Sequence, residues 1–297
     1  MFHVEQSKIM TCPNCLQIDS KPLMKVLDQF LTKEEFELHK CRGCGLIRTS
    51  PSPDSTEIIK YYASDEYLSH GAQKKGLFAF LYRLAKNYNI GIKGRLLSSL
   101  KKNAAFLDYG CGTADLISYC QELGMKVRGA EPSPEAISHS PEHIRSLIVS
   151  PDEELTSTRT YDIISMWHVL EHIQEPREIL IALISKLNPG GHLVIALPNN
   201  NSYDAKHYGA FWAAWDVPRH LWHYSPDQII PLVESLGMKH RSSHPMWFDA
   251  FYVSLLSERY KGGRILSAIV HASISNFKAL FNKKRGCSSQ IYIFHLK

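Results

Sequence analysis

The sequence predicts an α/β fold built on a doubly wound, mostly parallel seven-stranded sheet, with a small cysteine-bearing module ahead of it and a helical insertion before the last strand. Three observations carry this reading. Apolar runs alternate with amphipathic segments after Asn103, a Gly-x-Gly turn closes the first of those runs, and two Cys-x-x-Cys pairs fall within the first 50 residues.

The first element is residues 1–50. Cys12-Pro-Asn-Cys15 and Cys41-Arg-Gly-Cys44 form a C-x2-C-x25-C-x2-C array. Two thiolates two residues apart grip one face of a tetrahedral ion, and the second pair closes it, so the array predicts a zinc ribbon. A closed set of four thiolates leaves no open position, which makes the zinc structural. The other three of the seven cysteines (Cys111, Cys120, Cys287) are scattered, against a secreted disulfide framework. The start, MFHVEQSKIM, lacks the apolar core of a signal peptide, and no apolar run reaches the roughly 18 residues of a membrane span. A cytoplasmic location is therefore expected, and a composition of 44% hydrophobic and 21% charged residues fits a folded chain.

Residues 51–103 read as a helical linker or lid. Asp54 and Glu57 have the spacing of a capping box. A helical pattern from Leu77 to about Leu100 is expected to be interrupted near Gly91 and Gly94. Tyr61, Tyr62, Tyr67 and His70 are candidates to fold over a cleft, although an aromatic cluster at such spacing also serves as core.

Residues 104–297 form the main domain. Strands are expected at 105–109, 126–130, 145–149, 161–166, 192–197 and 289–296, and helices at about 114–123, 134–139 and 176–187. This βαβα rhythm predicts parallel strands with right-handed crossovers. The interval of about 250–286 does not read as a simple crossover and is expected to be a helical insertion.

The strongest functional signal is Phe106-Leu-Asp-Tyr-Gly-Cys-Gly-Thr-Ala-Asp115. A buried strand ends in an acid, and a Gly-x-Gly turn leads into a helix where backbone can approach a ligand closely. Glu131 closes the next strand, where a carboxylate can accept from both ribose hydroxyls of an adenosine cofactor. A dinucleotide needs a third small residue at position 115, where the helix start meets pyrophosphate, but Asp115 stands there and would repel it. S-adenosylmethionine has no phosphate and carries a sulfonium and an ammonium, so acids at Asp108 and Asp115 are tolerable beside it.

At these residues the sequence resembles the class I S-adenosylmethionine-dependent methyltransferases, over most of residues 104–240. FLDYGCGTAD resembles their first motif, with Ala114 in place of its usual third glycine, and Glu131 resembles their ribose-binding acid. YDIISMWHVLEHIQEP (161–176) and LNPGGHLVIALPN (187–199) resemble the fourth and fifth strands with their turns. The resemblance implies a Rossmann-like methyltransferase fold. It also implies that Tyr109, Gly110 and Gly112 pack against the methionine portion, that Trp167 and His168 line the cleft, and that the adenine contact lies within Asp152–Leu155. The four-cysteine ribbon ahead of this domain is similar to bacterial members of the ubiquinone-type branch. Zinc-containing deoxysugar C-methyltransferases share the layout, but this chain is much shorter at its C-terminus than those enzymes.

The acceptor site is expected in the loop Ala213-Ala-Trp-Asp-Val-Pro-Arg-His-Leu-Trp-His-Tyr-Ser225, because strand C-termini face the ligand crevice. His220 is the candidate base or acceptor-positioning residue, Asp216 its orienting group, and Arg219 a site for an anionic group on the acceptor. The competing reading is a buried polar staple of Asp216, Arg219 and His223, with Ser225 capping the helix from Pro226. Glu171-His172 is expected to cap and orient the turn after the fourth strand, although His172 also has a place near the substrate.

Charge is uneven. Residues 1–60 are neutral, whereas residues 250–297 carry Arg259, Lys261, Arg264, Lys278, Lys283, Lys284, Arg285 and Lys297 against the single acid Glu258. A solvated helix pair explains this, and so does a peripheral contact with an anionic membrane. The favoured partner is a small-molecule acceptor: a metabolite, a glycan precursor or a lipid-linked molecule. Two alternatives are an RNA methyltransferase reading nucleic acid through the ribbon, and a non-catalytic S-adenosylmethionine-binding module. The neutral ribbon and the absence of an Asn/Asp-Pro-Pro-Tyr-type motif after the fourth strand speak against RNA. The oligomeric state is not legible in the sequence.

Overall fold

The computed structural model describes residues 11–54, 56–62, 77–281 and 287–296, with backbone alone for 77–85. An antiparallel hairpin of β1 (Ser20–Leu27) and β2 (Glu35–Cys41) is extended by β3 (Ile47–Ser50). A 3-10 turn at Glu57–Tyr61 follows, and both halves of the Asp54/Glu57 capping box form, at 2.9 and 3.1 Å. The long helix α1 (Leu77–Leu100) leads into β4 (Ala105–Tyr109), α2 (Asp115–Glu122) and β5 (Lys126–Ala130). Short elements come next: α3 (Pro134–Ser138), α4 (Glu142–Arg145), β6 (Ile148–Val149) and α5 (Pro151–Thr156). The domain continues through β7 (Tyr161–Trp167), α6 (Pro176–Ser185), β8 (Leu187–Pro198), α7 (Tyr203–Tyr208), β9 (Trp222–His223) and α8 (Pro226–Ser235). It closes with β10 (Met238–Pro245), α9 (Trp247–Lys261), α10 (Ile265–Phe281) and β11 (Ser289–Leu296).

Among the described residues the main sheet runs β10-β11-β8-β7-β4-β5-β6. The pairs from β8 through β6 are parallel, and β11 is antiparallel to both of its neighbours. Successive residues along each central strand feed opposite cores, as the period of two requires. Leu107, Ile164, Ile195 and Phe294 face one layer, while Phe106, Ile163, Val194 and Ile293 face the other. That is why these strands read as continuous apolar runs rather than alternating ones.

Three details differ from the sequence expectation. Helix α1 runs unbroken through Gly91 and Gly94. A Cβ at Gly94 would lie 2.4 Å from the Tyr119 ring, so the glycine lets α1 approach α2 closely instead of ending it. The strand expected at 145–149 shrinks to Ile148–Val149, because Arg145 completes α4. The strand of the main sheet unread in the sequence is β10, MKHRSSHP, whose polar composition suits the sheet edge it forms.

A second sheet, β1-β2-β3-β9, crosses the expected boundary at residue 50. β9 comes from the 213–225 loop and pairs with β3 (Ile47 with His223, Arg48 with Trp222). Asn14 donates to the Gln228 carbonyl (2.8 Å) and Arg177 to the Pro13 carbonyl (3.2 Å), fastening the ribbon to α8 and α6.

Candidate active site

The cofactor end lies at the C-terminal edge of β4 and β5. After Tyr109 the chain turns through Gly110 (φ 81°), Gly112 (φ 54°) and Ala114 (φ 61°). A Cβ at Gly110 would meet Val169 Cγ2 at 2.4 Å, whereas one at Gly112 would meet nothing within 4 Å. The first glycine is demanded by packing. The second leaves open space on the side where a ligand would lie against the backbone. Glu131 is held facing this loop, accepting from the Gly112 amide (2.8 Å) and the Ser133 amide (3.0 Å). The Thr113 hydroxyl donates to Asp115 (2.5 Å), which also pairs with Lys86 (2.8 Å).

Asp108 is 2% exposed and accepts from the Ser165 hydroxyl at 2.5 Å. Burial pushes its carboxyl up to about 6, although the Ser165 bond and the Lys93 charge oppose the shift. Lys93 reaches in from α1 and places its ammonium 4.4 Å from the centre of the Trp167 ring. The Trp167 indole nitrogen is buried with no hydrogen-bond partner among the described residues. The open face of Gly112, the orphan indole N–H and two carboxylates (Asp108, Glu131) fit a polar, cationic adenosyl ligand. The Asp152–Leu155 segment lies in α5, capped by Ser150. Within it Glu154 is buried on Arg128 (2.7 Å) and the Tyr161 hydroxyl (2.8 Å), so it is committed to the fold.

His168 follows Trp167 in a left-handed backbone conformation (φ 56°), which is uncommon for a residue with a side chain. Its ring bridges Glu171 (3.4 Å) and Asp249 of α9 (3.2 Å). Burial lowers its pKa, but the carboxylates of Asp249 and Glu171 beside the ring outweigh this and lift it to about 9.

The candidate acceptor end is built around Glu171. Sequence reasoning gave this residue a capping role. In the structure its backbone carbonyl does take the Leu221 amide (2.8 Å), but the side chain caps nothing. Its carboxylate is 1% exposed and makes no hydrogen bond among the described residues, only the 3.4 Å ion-pair contact with His168. A buried carboxylate without hydrogen bonds is costly, and the His168 ion pair is what offsets that cost here.

Glu171, His172 and His220 each offer a ligand atom, and these atoms lie within 4.8 Å of one another. His220 Nδ1 sits 2.9 Å from the Ala214 carbonyl, and His172 Nδ1 sits 3.0 Å from the Arg219 carbonyl. A carbonyl only accepts, so each Nδ1 carries a hydrogen, and in the neutral imidazole that leaves the lone pair on Nε2. Burial, then the neighbouring His220, lowers the His172 pKa to about 4. This trio can take a proton or hold a divalent cation. A narrow, closely packed crevice beside it is lined by Glu171, Asn200, Trp212, His220, His223 and Tyr224.

Arg219 lies inside the fold. It is 1% exposed and donates to both Asp216 oxygens (2.6–3.1 Å), to Asp28 Oδ1 (3.0 Å) and to the Tyr61 carbonyl (3.0 Å). These contacts draw the guanidinium into the fold. Asp216 is drawn into the same ion pair, with one oxygen 3.9 Å from His220 Nε2. Asp28, in the β1–β2 turn, was not anticipated. Its signal was local: Asp28 accepts from the Phe30, Leu31 and Thr32 amides, the pattern of an Asx-type turn. His223 belongs to the staple too, through Thr49 Oγ1 (3.0 Å), and Thr49 also donates to the His220 carbonyl (2.6 Å). Ser225 precedes α8 but bonds the Gln228 side chain (2.5 Å) rather than a backbone amide. In the linker Tyr61 is core and bonds Glu34 (2.5 Å), whereas the Tyr62 hydroxyl meets His172 Nδ1 (2.9 Å). Tyr67 and His70 lie outside the described residues.

The four ribbon cysteines come together on two equivalent knuckles. The Leu16 amide bonds the Cys12 carbonyl (2.8 Å) and the Gly45 amide bonds the Cys41 carbonyl (3.0 Å), both residues having positive φ. The Sγ atoms lie within 4.8 Å of one another, with Cys12–Cys44 and Cys15–Cys41 at 3.4 Å. A tetrahedral zinc thiolate centre separates its sulfurs by about 3.8 Å, so the cluster fits that ion.

Comparison with known proteins agrees with this geometry. The family model described as "Methyltransferase domain" matches residues 82–242, more than half of the chain. The ubiquinone biosynthesis O-methyltransferase of Burkholderia thailandensis is 26% identical over 147 residues, covering 45% of this chain and 63% of that protein. The mitochondrial enzyme of the same title from Schizosaccharomyces pombe is 31% identical over 99 residues, covering 30% and 36%. The chain thus spans less than two thirds of the length of these relatives.

Among solved structures, magnesium protoporphyrin IX methyltransferase from Synechocystis PCC 6803, with bound SAH, aligns with a TM-score of 0.54 at 13% identity, covering 82% of this chain and 100% of that one. The [4+2]-cyclase SpnF aligns equally well, with a TM-score of 0.54 at 14% identity over 82% and 97%. These two share the fold, and the fold alone does not fix the chemistry. The family match, the seven-stranded topology and the glycine turn facing Glu131 together place this chain in the methyltransferase-domain family, as a class I S-adenosylmethionine-dependent methyltransferase.

Proposed function

We propose that this enzyme methylates a hydroxyl group on a small acceptor held against Glu171, His172 and His220. The observation that carries the proposal is the Glu171 carboxylate, buried without a hydrogen bond beside two imidazole lone pairs and next to the cofactor-end residue His168. The O-methyltransferase titles of the curated relatives support an oxygen acceptor.

S-adenosylmethionine supplies a sulfonium-bound methyl group, which an acceptor oxygen attacks in line. In this reading Glu131 binds the ribose hydroxyls, Asp108 faces the cationic end, and Tyr109, Gly110, Gly112, Trp167 and His168 line the cofactor cleft. His220 Nε2 takes the proton of the acceptor hydroxyl, and Asp216 stands 3.9 Å away to stabilise the imidazolium. His172 stays neutral across the physiological range and accepts a hydrogen bond from the acceptor. Arg219 acts as a positioning residue that fixes Asp216. The four cysteines hold a structural zinc whose sheet supports β9 and, through Thr49, the His220 backbone.

The test is transfer of labelled methyl from S-adenosylmethionine into a fractionated cell extract, with Glu131→Ala and His220→Ala proteins alongside. Label in the small-molecule or lipid fraction, lost with both variants, is the expected result. Label in nuclease-sensitive material would overturn this reading in favour of RNA.

A further inference from the structure

The helix pair α9–α10 is packed the opposite way from an ordinary surface hairpin. A surface helix buries its large apolar residues and exposes polar ones. Helix α10 buries Ala268, Ala272, Ser275 and Ala279. It exposes Ile265 (69%), Leu266 (72%), Ile269, Val270, Phe277, Leu280 and Phe281 (77%). Its inner face is fixed by polar contacts. Ser275 donates to Asp204 (2.7 Å), Asn276 to the Trp247 carbonyl (2.9 Å), and His271 meets the Tyr203 hydroxyl (3.1 Å). Helix α9 adds exposed Trp247, Phe248, Phe251 and Tyr252 to the same pair.

The charges of the pair select among occupants. Its exposed charged residues are all cations: Arg259, Lys261, Arg264 and Lys278. Its two acids are turned inward, Asp249 to His168 (3.2 Å) and Glu258 to the Ser267 hydroxyl (2.6 Å). The sequence continues into Lys283-Lys284-Arg285. A second copy of the chain would bring like charge against like charge. An anionic bilayer offers apolar depth for the aliphatic and phenyl groups, a headgroup level for Trp247 and Tyr252, and negative charge for the cations. No described helix is long and apolar enough to cross a membrane, so the contact is interfacial.

We propose that α9–α10 is a docking surface for anionic lipid bilayers. The surface is continuous with the active site, because Asp249 on α9 holds His168 at the end of β7. The proposal depends on no identification of the acceptor, since its readout is binding alone.

The experiment is flotation of the full chain with vesicles of phosphatidylcholine, alone or mixed with phosphatidylglycerol, alongside analytical ultracentrifugation. The expected result is flotation with the mixed vesicles only. It should fall roughly fivefold for each of Lys261→Gln and Lys278→Gln, from the loss of one surface cation near an anionic leaflet. It should be abolished by Leu266→Glu/Phe277→Glu, whose exposed positions leave the circular dichroism melt unchanged. Wild type that stays with the soluble fraction at all compositions would overturn the proposal. So would a dimer that Leu266→Glu/Phe277→Glu disperses while vesicle binding is absent, which would assign the face to a second copy.

Discussion

The two ends of the crevice are built in opposite ways. The cofactor end is made of nearby chain: one strand–turn–helix unit from Phe106 to Asp115, and Glu131 one strand further on, in contact mainly through backbone amides. The acceptor end is assembled from side chains far apart in sequence, with Arg219 joining Asp216 to Asp28 and Thr49 joining β3 to His220 and His223. The first end is encoded locally and is insulated from changes elsewhere. The second depends on the ribbon, so substitutions there should weaken methyl transfer without touching cofactor affinity.

The most severe break expected in this comparison is Arg219→Ala. It strands Asp28 as a buried charge beside a partly exposed Asp216, and removing one partner of such a network costs about 3–5 kcal/mol. Chemical denaturation should report that loss, with a much smaller change for a cofactor-end substitution such as Thr113→Ala. Glu131→Ala attacks the other end. It should weaken S-adenosylhomocysteine binding by about tenfold to a hundredfold, the value of charge-assisted hydrogen bonds, while stability changes little. Thr49→Val is subtler still. Losing its bonds to His220 and His223 should cost about 1–2 kcal/mol and slow transfer, with the cofactor Kd unchanged by calorimetry.

pH sharpens the comparison further. The His168 pKa is raised to about 9, so its ion pair with Asp249 contributes stability fully below pH 6.5 and loses it as pH rises through about 9. Melting temperature should fall over that window more steeply in wild type than in His168→Gln, by a modest amount because His168 is one third exposed. At the cofactor end the burial-raised Asp108 should ionise when a cationic ligand enters. Cofactor affinity is therefore expected to weaken as pH falls below about 6, and Asp108→Asn should flatten that dependence.

Legibility in the sequence follows the same division. The turn at Gly110–Gly112 and its partner Glu131 were readable because the constraint is local: a close approach, a positive φ and a carboxylate at a strand end. Strands such as 105–109 and 289–296 were readable because both faces are buried. β10 was not, since an edge strand needs no apolar run, and β9 was not, since two residues carry no periodicity. The Arg219–Asp28 pair spans 191 residues, so no spacing announces it. Glu171 reads as a cap because it is a Glu in a turn, and only the fold shows its carboxylate buried without a hydrogen bond.

The measurement that tests the account most directly is a paired one on His220→Ala: calorimetric binding of S-adenosylhomocysteine and the rate of labelled methyl transfer to the acceptor fraction. The account predicts a cofactor Kd within about twofold of wild type and a transfer rate lower by about 10²–10⁴, the range of a lost general base. Transfer at the wild-type rate, or a loss of cofactor binding that matches the loss of transfer, would contradict it.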